Sequence, residues 1–176
     1  MIRYVNTSGG GTTIFDESPS PGTATYIKDG VIDFGIFRHY ELTIEGLNSS
    51  ASNTFSLVAR LGGADVAATG HNGALVNADA TPQVTAAISG FGSAGLILSS
   101  YRAANTTNLL TLDWKYNSAL TFSALSWVVQ HSNGANARES TWGQGTIGVT
   151  AVDGFKLSML TGNITSISRL MLVAYR

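Results

Sequence analysis

The sequence predicts an all-β protein in which two antiparallel sheets pack as a sandwich behind an extended N-terminal arm. Short runs of β-prone residues recur from Tyr26 onward, and Asp-Gly or Asn-Gly dipeptides separate several of them. No segment sustains the 3.6-residue periodicity of an amphipathic helix. The pattern predicts eight or more strands in a single domain, and that number indicates two facing sheets.

The length of the chain is suited to one domain, which we place at residues 26–176. A domain near 176 residues buries about 70% of the surface that its unfolded chain exposes. The chain has no cysteine, which excludes a disulfide framework and a thiolate metal site. Its stability must therefore come from packing, backbone ladders or association between subunits.

Residues 1–25 are predicted to form the arm. The segment contains three consecutive glycines at 9–11 and two of the three prolines, Pro19 and Pro21, and such composition interrupts regular structure. Its apolar side chains, Tyr4, Ile14 and Phe15, are the residues with which we expect the arm to contact another subunit.

The candidate strands follow from β-propensity and turn signals. Asp29-Gly30, Asn72-Gly73 and Asp153-Gly154 are turn dipeptides that supply the positive φ required in tight hairpins. The predicted strands cover 26–28, 31–37, 39–45, 54–61, 84–88, 95–101, 108–115, 120–130, 146–151, 155–160 and 164–175.

Apolar residues alternate differently in different strands. Leu42 and Ile44 share one face of strand 39–45, and the polar residues at 41, 43 and 45 share the other, so that strand has one solvated face. Strands 120–130 and 164–175 have apolar residues on both faces, and an antiparallel strand of that kind needs a cover on its outer side. A symmetric partner is the simplest cover. The predicted subunit interface comprises Trp127, Ile167, Arg169, Met171 and Val173.

Arg169 is the lone charge within the apolar strand 164–175. An unpaired charge is costly to bury, so we expect Arg169 to pair with a carboxylate across a sheet or a subunit boundary.

Charge and composition exclude several classes of partner. Charged residues make up 12% of the chain, the net charge is −1, and no basic cluster offers the footprint that nucleic acid needs. No stretch approaches the roughly 20 apolar residues of a membrane span. The N-terminus has no charged segment followed by an apolar run, so we expect synthesis in the cytosol without a secretory signal.

The motifs favour a protein that is not an enzyme. Gly90 to Gly95 match G-x-G-x-x-G, but the following residues predict a strand where a nucleotide site needs a helix. His39, His71 and His131 are scattered, with His71 in a predicted turn, and the carboxylates occur singly for the most part. We therefore expect no catalytic residues, no metal or nucleotide site and no cofactor.

Trp142-Gly-Gln-Gly145 precedes the predicted strand 146–151, and its glycines favour a bulge at the start of that strand. No carboxylate is associated in the sequence with a group of exposed aromatics, as a sugar-cleaving cleft would require.

Two strand patterns together resemble the small jelly-roll modules of tailed-bacteriophage virions. Tyr40 to Leu47 follow Tyr-x-Leu-x-Ile-x-Gly-Leu, and Gly162 to Val173 follow a closing pattern of Gly-x-Ile and Arg-Leu-x-Leu. The resemblance extends over about residues 34–176, and it implies a jelly-roll arrangement of the sandwich.

The resemblance implies a structural role in the virion, with assembly in the host cytoplasm. The function expected first is that of a capsid decoration, or cement, protein that forms homotrimers and binds the outer surface of the shell. Its partners would be its own copies and the major capsid protein or another virion protein, with the arm in contact with capsid subunits. The alternative is a tail-fibre or tail-tip domain that binds host glycans by stacking sugars on Tyr101, Trp114 and Trp142.

Overall fold

The protein is an all-β sandwich of two antiparallel sheets, as the sequence predicts. The computed structural model describes residues 5–6, 10–51, 53–67, 71–78, 84–89, 95–101, 108–117, 122–132, 138–148 and 151–176. Within these ranges no helix is long and apolar enough to cross a membrane.

The described residues form fourteen strands, numbered in chain order. They are β1 Val5–Asn6, β2 Thr12–Glu17, β3 Thr25–Lys28, β4 His39–Ser49, β5 Asn53–Leu61, β6 Ala64–Asp65, β7 His71–Ala78, β8 Val84–Ser89, β9 Leu96–Tyr101, β10 Asn108–Asn117, β11 Phe122–Ser132, β12 Arg138–Ile147, β13 Gly154–Met159 and β14 Ile164–Tyr175.

The large sheet has nine strands in the order β1-β2-β14-β4-β10-β11-β12-β7-β8. The small sheet has the order β3-β13-β5-β6, and β9 also pairs with β5. Strands β10, β11 and β12 are consecutive neighbours, so they form an antiparallel meander within the large sheet. The two-sheet sandwich is confirmed, and the jelly-roll connectivity stays a prediction.

The two segments that carry the virion-protein resemblance are adjacent in the large sheet. Strand β14 pairs with β4 so that Leu172 faces Leu42 and Leu170 faces Ile44. These four side chains are buried in the core between the sheets. The terminal strand is therefore held by β4 on one side and by β2 on the other.

The core lies between the inner faces of the two sheets. Trp127 of β11 is 2% exposed, and its Nε1 donates a hydrogen bond to the Leu98 carbonyl of the small sheet at 3.0 Å. Gly143, the register partner of Trp127 on β12, makes room for the indole, because a Cβ there would overlap the ring. The glycine in the Trp142-Gly-Gln-Gly segment thus serves close packing. The β11–β12 ladder has no register shift, so the predicted bulge is wrong.

Residues 31–37 do not form the predicted strand. Residues 34–36 form a turn, in which the Gly35 amide donates to Asp33 Oδ1 at 2.8 Å. Phe34 and Phe37 are buried, and Phe34 stacks on Tyr116 with centroids 5.0 Å apart. The apolar residues of this segment resemble a strand in sequence, but their aromatic rings pack into the core from a loop.

Two other strand assignments also differ from the sequence expectations. Strand β12 ends at Ile147, so the predicted strand 146–151 is wrong at Gly148 and Ala151, and residues 149–150 lie outside the described ranges. In contrast, β7 begins at His71 in a stretch expected to be a turn. Burial explains His71, since its side chain is 2% exposed and its Nε2 accepts a hydrogen bond from the Ala59 amide at 3.1 Å. Because His71 is polar and its sequence neighbours are Gly70, Asn72 and Gly73, the local sequence does not indicate that its side chain is buried.

The predicted arm is wrong for residues 12–17, which form β2 and pair with β14 in the large sheet. Ile14 is only 5% exposed, and the Phe15 ring lies 6.4 Å from that of Phe155 on the small sheet. Ile14 is therefore not available as an arm contact, whereas Phe15 is half-buried against the core of this chain. Tyr4 lies outside the described residues.

The outer face of β11 is not the apolar surface that the sequence suggested. Leu125, Trp127 and Val129 point into the core, whereas Ala124 and Ser126 are exposed on the other side. Phe122 and Val128 lie on that outer face as well, and both are partly buried within this chain.

Candidate functional site: a trough on the large sheet

The candidate site lies on the outer face of the large sheet over β10, β11 and β12. Strand register aligns Asp113, Ser126 and Gln144 in one row across the three strands. The short side chains of Ser126 and its neighbour Ala124 form a floor on β11, and longer side chains of β10 and β12 border it. The outward residues are Thr111, Asp113 and Lys115 on β10, Ala124, Ser126 and Val128 on β11, and Trp142, Gln144 and Thr146 on β12.

This arrangement makes two adjoining concavities of about 450 Å³ and about 530 Å³. Both are lined by Asp113, Ser126 and Gln144, so they meet at the central row. One concavity extends from this row to Trp142, and the other extends to Lys115. We call this continuous depression the trough.

Trp142 is the large aromatic side chain of the trough, and it is 48% exposed. Its neighbour Gly143 faces the core beneath it, against Trp127. The alternation along β12 therefore directs one residue of this segment to the surface and the next to the interior. An exposed indole beside polar groups offers both a flat apolar face and an N–H donor.

Asp113 occupies the centre of the β10 wall and is oriented from the neighbouring strand β4. His39 Nε2 lies 2.7 Å from Asp113 Oδ1, and the His39 ring stacks on Tyr175 with centroids 4.9 Å apart. Glu41 is the register partner of Asp113 on β4, and its Oε2 accepts a hydrogen bond from the Tyr175 hydroxyl at 3.4 Å. Burial, with Glu41 and Asp113 nearby, raises the pKa of Tyr175.

The trough has the chemical groups for binding a polyhydroxylated ligand. Asp113 accepts hydrogen bonds, Gln144 both donates and accepts them, and Trp142 offers a ring face. Among the described residues that line the trough, Asp113 is the one carboxylate.

The three aromatic residues predicted to stack on sugars lie in different environments. Trp114 is 1% exposed and packs against Phe34, so that prediction is wrong for Trp114. Tyr101 is the last residue of β9, where it pairs with Asn53 along the backbone, and its side chain lies outside the described set. Trp142 lies in the trough, and its contact with a sugar stays a prediction.

The predicted subunit interface is wrong for the side chains that this chain itself buries. Trp127 and Ile167 belong to the core, and Val173 is buried on the outer face, where Gly11 lies against it. Met171 is half-buried on that face, next to Arg169.

Arg169 is paired, as predicted, by carboxylates of both neighbouring strands. Its guanidinium binds Asp16 of β2 through two hydrogen bonds, and Nη1 lies 3.7 Å from Glu45 Oε1 of β4. The hydrogen bond and charge of Arg169 lower the pKa of the Asp16 carboxyl. Each partner belongs to the same sheet, so the pairing does not itself require another subunit.

Sequence reasoning missed Asp113 and Gln144 as candidate binding residues. A local signal was present in strand 108–117, where Leu110, Leu112 and Trp114 alternate with polar residues and therefore place Asp113 outward. The proximity of that carboxylate to Trp142 depends on strand pairing, which the alternation does not specify.

No family model matches this chain, and no curated protein matches it. A search of solved structures found an aerolysin-like protein from Bombina maxima at 10% sequence identity, covering 90% of this chain and 97% of that one, with a TM-score of 0.13. A likeness at that score carries no argument about fold or function.

Proposed function

We propose that the protein is a non-enzymatic virion protein of the tail-fibre or tail-tip kind, whose trough binds host-surface glycans. The observation that carries the proposal is the exposed Trp142 indole in the same depression as Asp113 and Gln144. The virion location comes from the resemblance of strands β4 and β14 to phage modules.

A sugar ring presents an apolar C–H face and a rim of hydroxyl groups. The Trp142 ring matches the first, and the side chains of the central row match the second. A hydrogen bond to an ionised carboxylate is roughly twice as strong as a neutral one, so Asp113 is well suited to fix the orientation of a hydroxyl-rich ligand.

Glycan-array binding of the wild type and of Trp142→Ala tests this function. We expect the wild type to bind a defined set of glycans, and Trp142→Ala to lose most of that signal while it remains folded. Leu61→Ala is the matched control, because Leu61 is 47% exposed at the end of β5 in the small sheet, away from the trough. Equal binding by Trp142→Ala and wild type would contradict the proposal.

A second candidate is the capsid decoration protein, associated as a homotrimer on the outer surface of the shell. It is favoured by exposed apolar side chains at the small sheet, where Ile27 lies on β3 and Leu160 follows β13. Among the described strands, β3 pairs only with β13, so its other edge is open to a further strand.

Light scattering and capsid co-sedimentation test the second candidate. We expect the wild type to form a trimer that binds expanded capsids. The double variant Ile27→Ser, Leu160→Ser should no longer form that trimer. A stable monomer that does not sediment with capsids would contradict it.

A further inference from the structure

We infer that the trough binds an uncharged, linear glycan segment several sugar units long, and not a single sugar or an acidic chain. The inference rests on the proposed glycan-binding function and specifies the ligand of the same trough. Three features support it: the length of the trough, the shape of its floor and the distribution of its charges.

The length follows from the strand geometry. The trough spans three successive outward positions on each strand, from Val128 through Ser126 to Ala124 on β11. Outward positions are two residues apart, so the first and last lie about 13 Å from each other. That distance exceeds the size of one pyranose ring. Only a chain of several sugars would therefore reach the polar side chains at both ends of the trough and at its centre.

The shape of the floor favours an unbranched ligand. The β11 side chains are short at Ser126 and Ala124, while β10 and β12 lie on either side at the usual strand spacing of about 4.8 Å. Longer side chains, including Asp113 and Trp142, thus border a narrow strip that runs along the strands. A linear chain fits such a strip lengthwise, whereas a branch would meet the side chains of one wall.

The charges favour an uncharged chain. Asp113 lies at the centre of the trough, and Glu41 faces it from β4. Lys115 at one end is the one cation among the described lining residues, and His39 contacts Asp113 from the side. A chain with a carboxylate on each sugar would place negative charge against Asp113 without a row of cations to compensate it.

Calorimetric titration with defined oligosaccharides tests the inference. The probes are uncharged linear gluco-, manno- and xylo-oligosaccharides of one to six units, together with oligogalacturonates of the same lengths. We expect affinity for the best uncharged series to rise about tenfold or more from one to three units, and the oligogalacturonates to bind about tenfold or more weakly than that series.

Titration of the Asp113→Asn variant is the second part of the test. The substitution should weaken binding of the uncharged series several-fold and narrow the difference from the galacturonates, because it removes both the strong acceptor and the repulsion. Glu45→Gln lies on the same face outside the trough and should bind as the wild type does.

The outcomes separate the two proposals. Binding of a monosaccharide as tightly as the longer chains, a preference for the oligogalacturonates, or a preference for branched glycans on the array overturns the inference and leaves glycan binding intact. The protein must first show the far-UV spectrum of a folded β-protein. If it then binds none of the probes and nothing on the glycan array, both the proposed function and the inference are overturned.

Discussion

Arg169 of β14 binds Asp16 of β2 through two parallel hydrogen bonds, from Nε to Oδ1 at 3.0 Å and from Nη2 to Oδ2 at 2.9 Å. The pair joins β2 to β14, and the two residues lie 153 positions apart in the sequence. Bidentate geometry of this kind makes the contact specific for arginine. It helps to keep β2 in the large sheet.

We predict that Arg169→Gln loosens β2 and raises the pKa of Asp16 toward its ordinary value of 3.8. In the wild type the Asp16 pKa is lowered in the folded state, so its contribution to stability is present above 3.8 and is lost as the pH falls through the folded-state pKa. Carboxyl NMR titration measures the pKa, and amide exchange measures the opening of β2. Unchanged exchange in β2 would show that the backbone ladder alone holds the strand.

We predict that Gly143→Ala destabilises the fold by about 1–3 kcal/mol, because its Cβ would overlap the Trp127 indole and force the core to shift. Urea denaturation gives the free energy of unfolding. The control is a double-mutant cycle with Trp127→Leu, in which the smaller side chain should relieve most of the added cost of Gly143→Ala. Additive costs would mean that the overlap is not the cause.

We predict that His71 makes the fold sensitive to acid. Burial lowers the pKa of His71 below 6.5, and its Nε2 is occupied as the acceptor for the Ala59 amide. The unfolded chain therefore takes up the proton first, so the free energy of unfolding should be highest above pH 6.5 and should decrease as the pH falls toward the folded-state pKa. Denaturation midpoints measured from pH 5 to pH 8 check this. His71→Gln keeps an acceptor and should flatten that dependence. An identical slope in the variant would assign the sensitivity to other groups.

We predict that Arg60→Met destabilises the small sheet by about 1–3 kcal/mol. The buried Arg60 guanidinium binds Asp29, with Nε to Oδ1 at 2.7 Å, and also binds Asp65 and the Gly63 carbonyl. Its removal leaves these acceptors without their shared donor. Lys156→Met is the matched control, because Lys156 binds Asp65 without joining it to Asp29, and its loss should cost less. Equal losses of thermal stability in the two variants would contradict a special role for Arg60.

Local patterns predicted those parts of the fold in which one strand carries its own signal. Strand 164–175 was predicted with the bounds that the structure gives, since a long β-prone run follows the turn residue Gly162. The pairing of Arg169 could also be anticipated, because a charge amid apolar neighbours needs a counter-charge wherever the strand lies. Neither feature depended on knowing which strand would be adjacent.

Contacts between distant segments could not be predicted in this way. Residues 12–17 have no local preference strong enough to overcome the glycines and prolines around them, and they become a strand because β14 offers an edge. Phe34 and Phe37 resemble strand residues in sequence, yet they fill the core from a turn. In both cases a tertiary partner overrides the local pattern.

The sequence by itself determined the all-β class, the two-sheet packing and, within strand 108–115, the alternation that places Asp113 outward, because side-chain direction along a strand repeats every two residues. Only the tertiary structure decided that β10, β11 and β12 are neighbours in the register that aligns Asp113, Ser126 and Gln144. Register is set by hydrogen bonding and core packing between strands, including the contact of Trp127 with Gly143. Such contacts join residues of different strands, so the local sequence of one strand does not specify them.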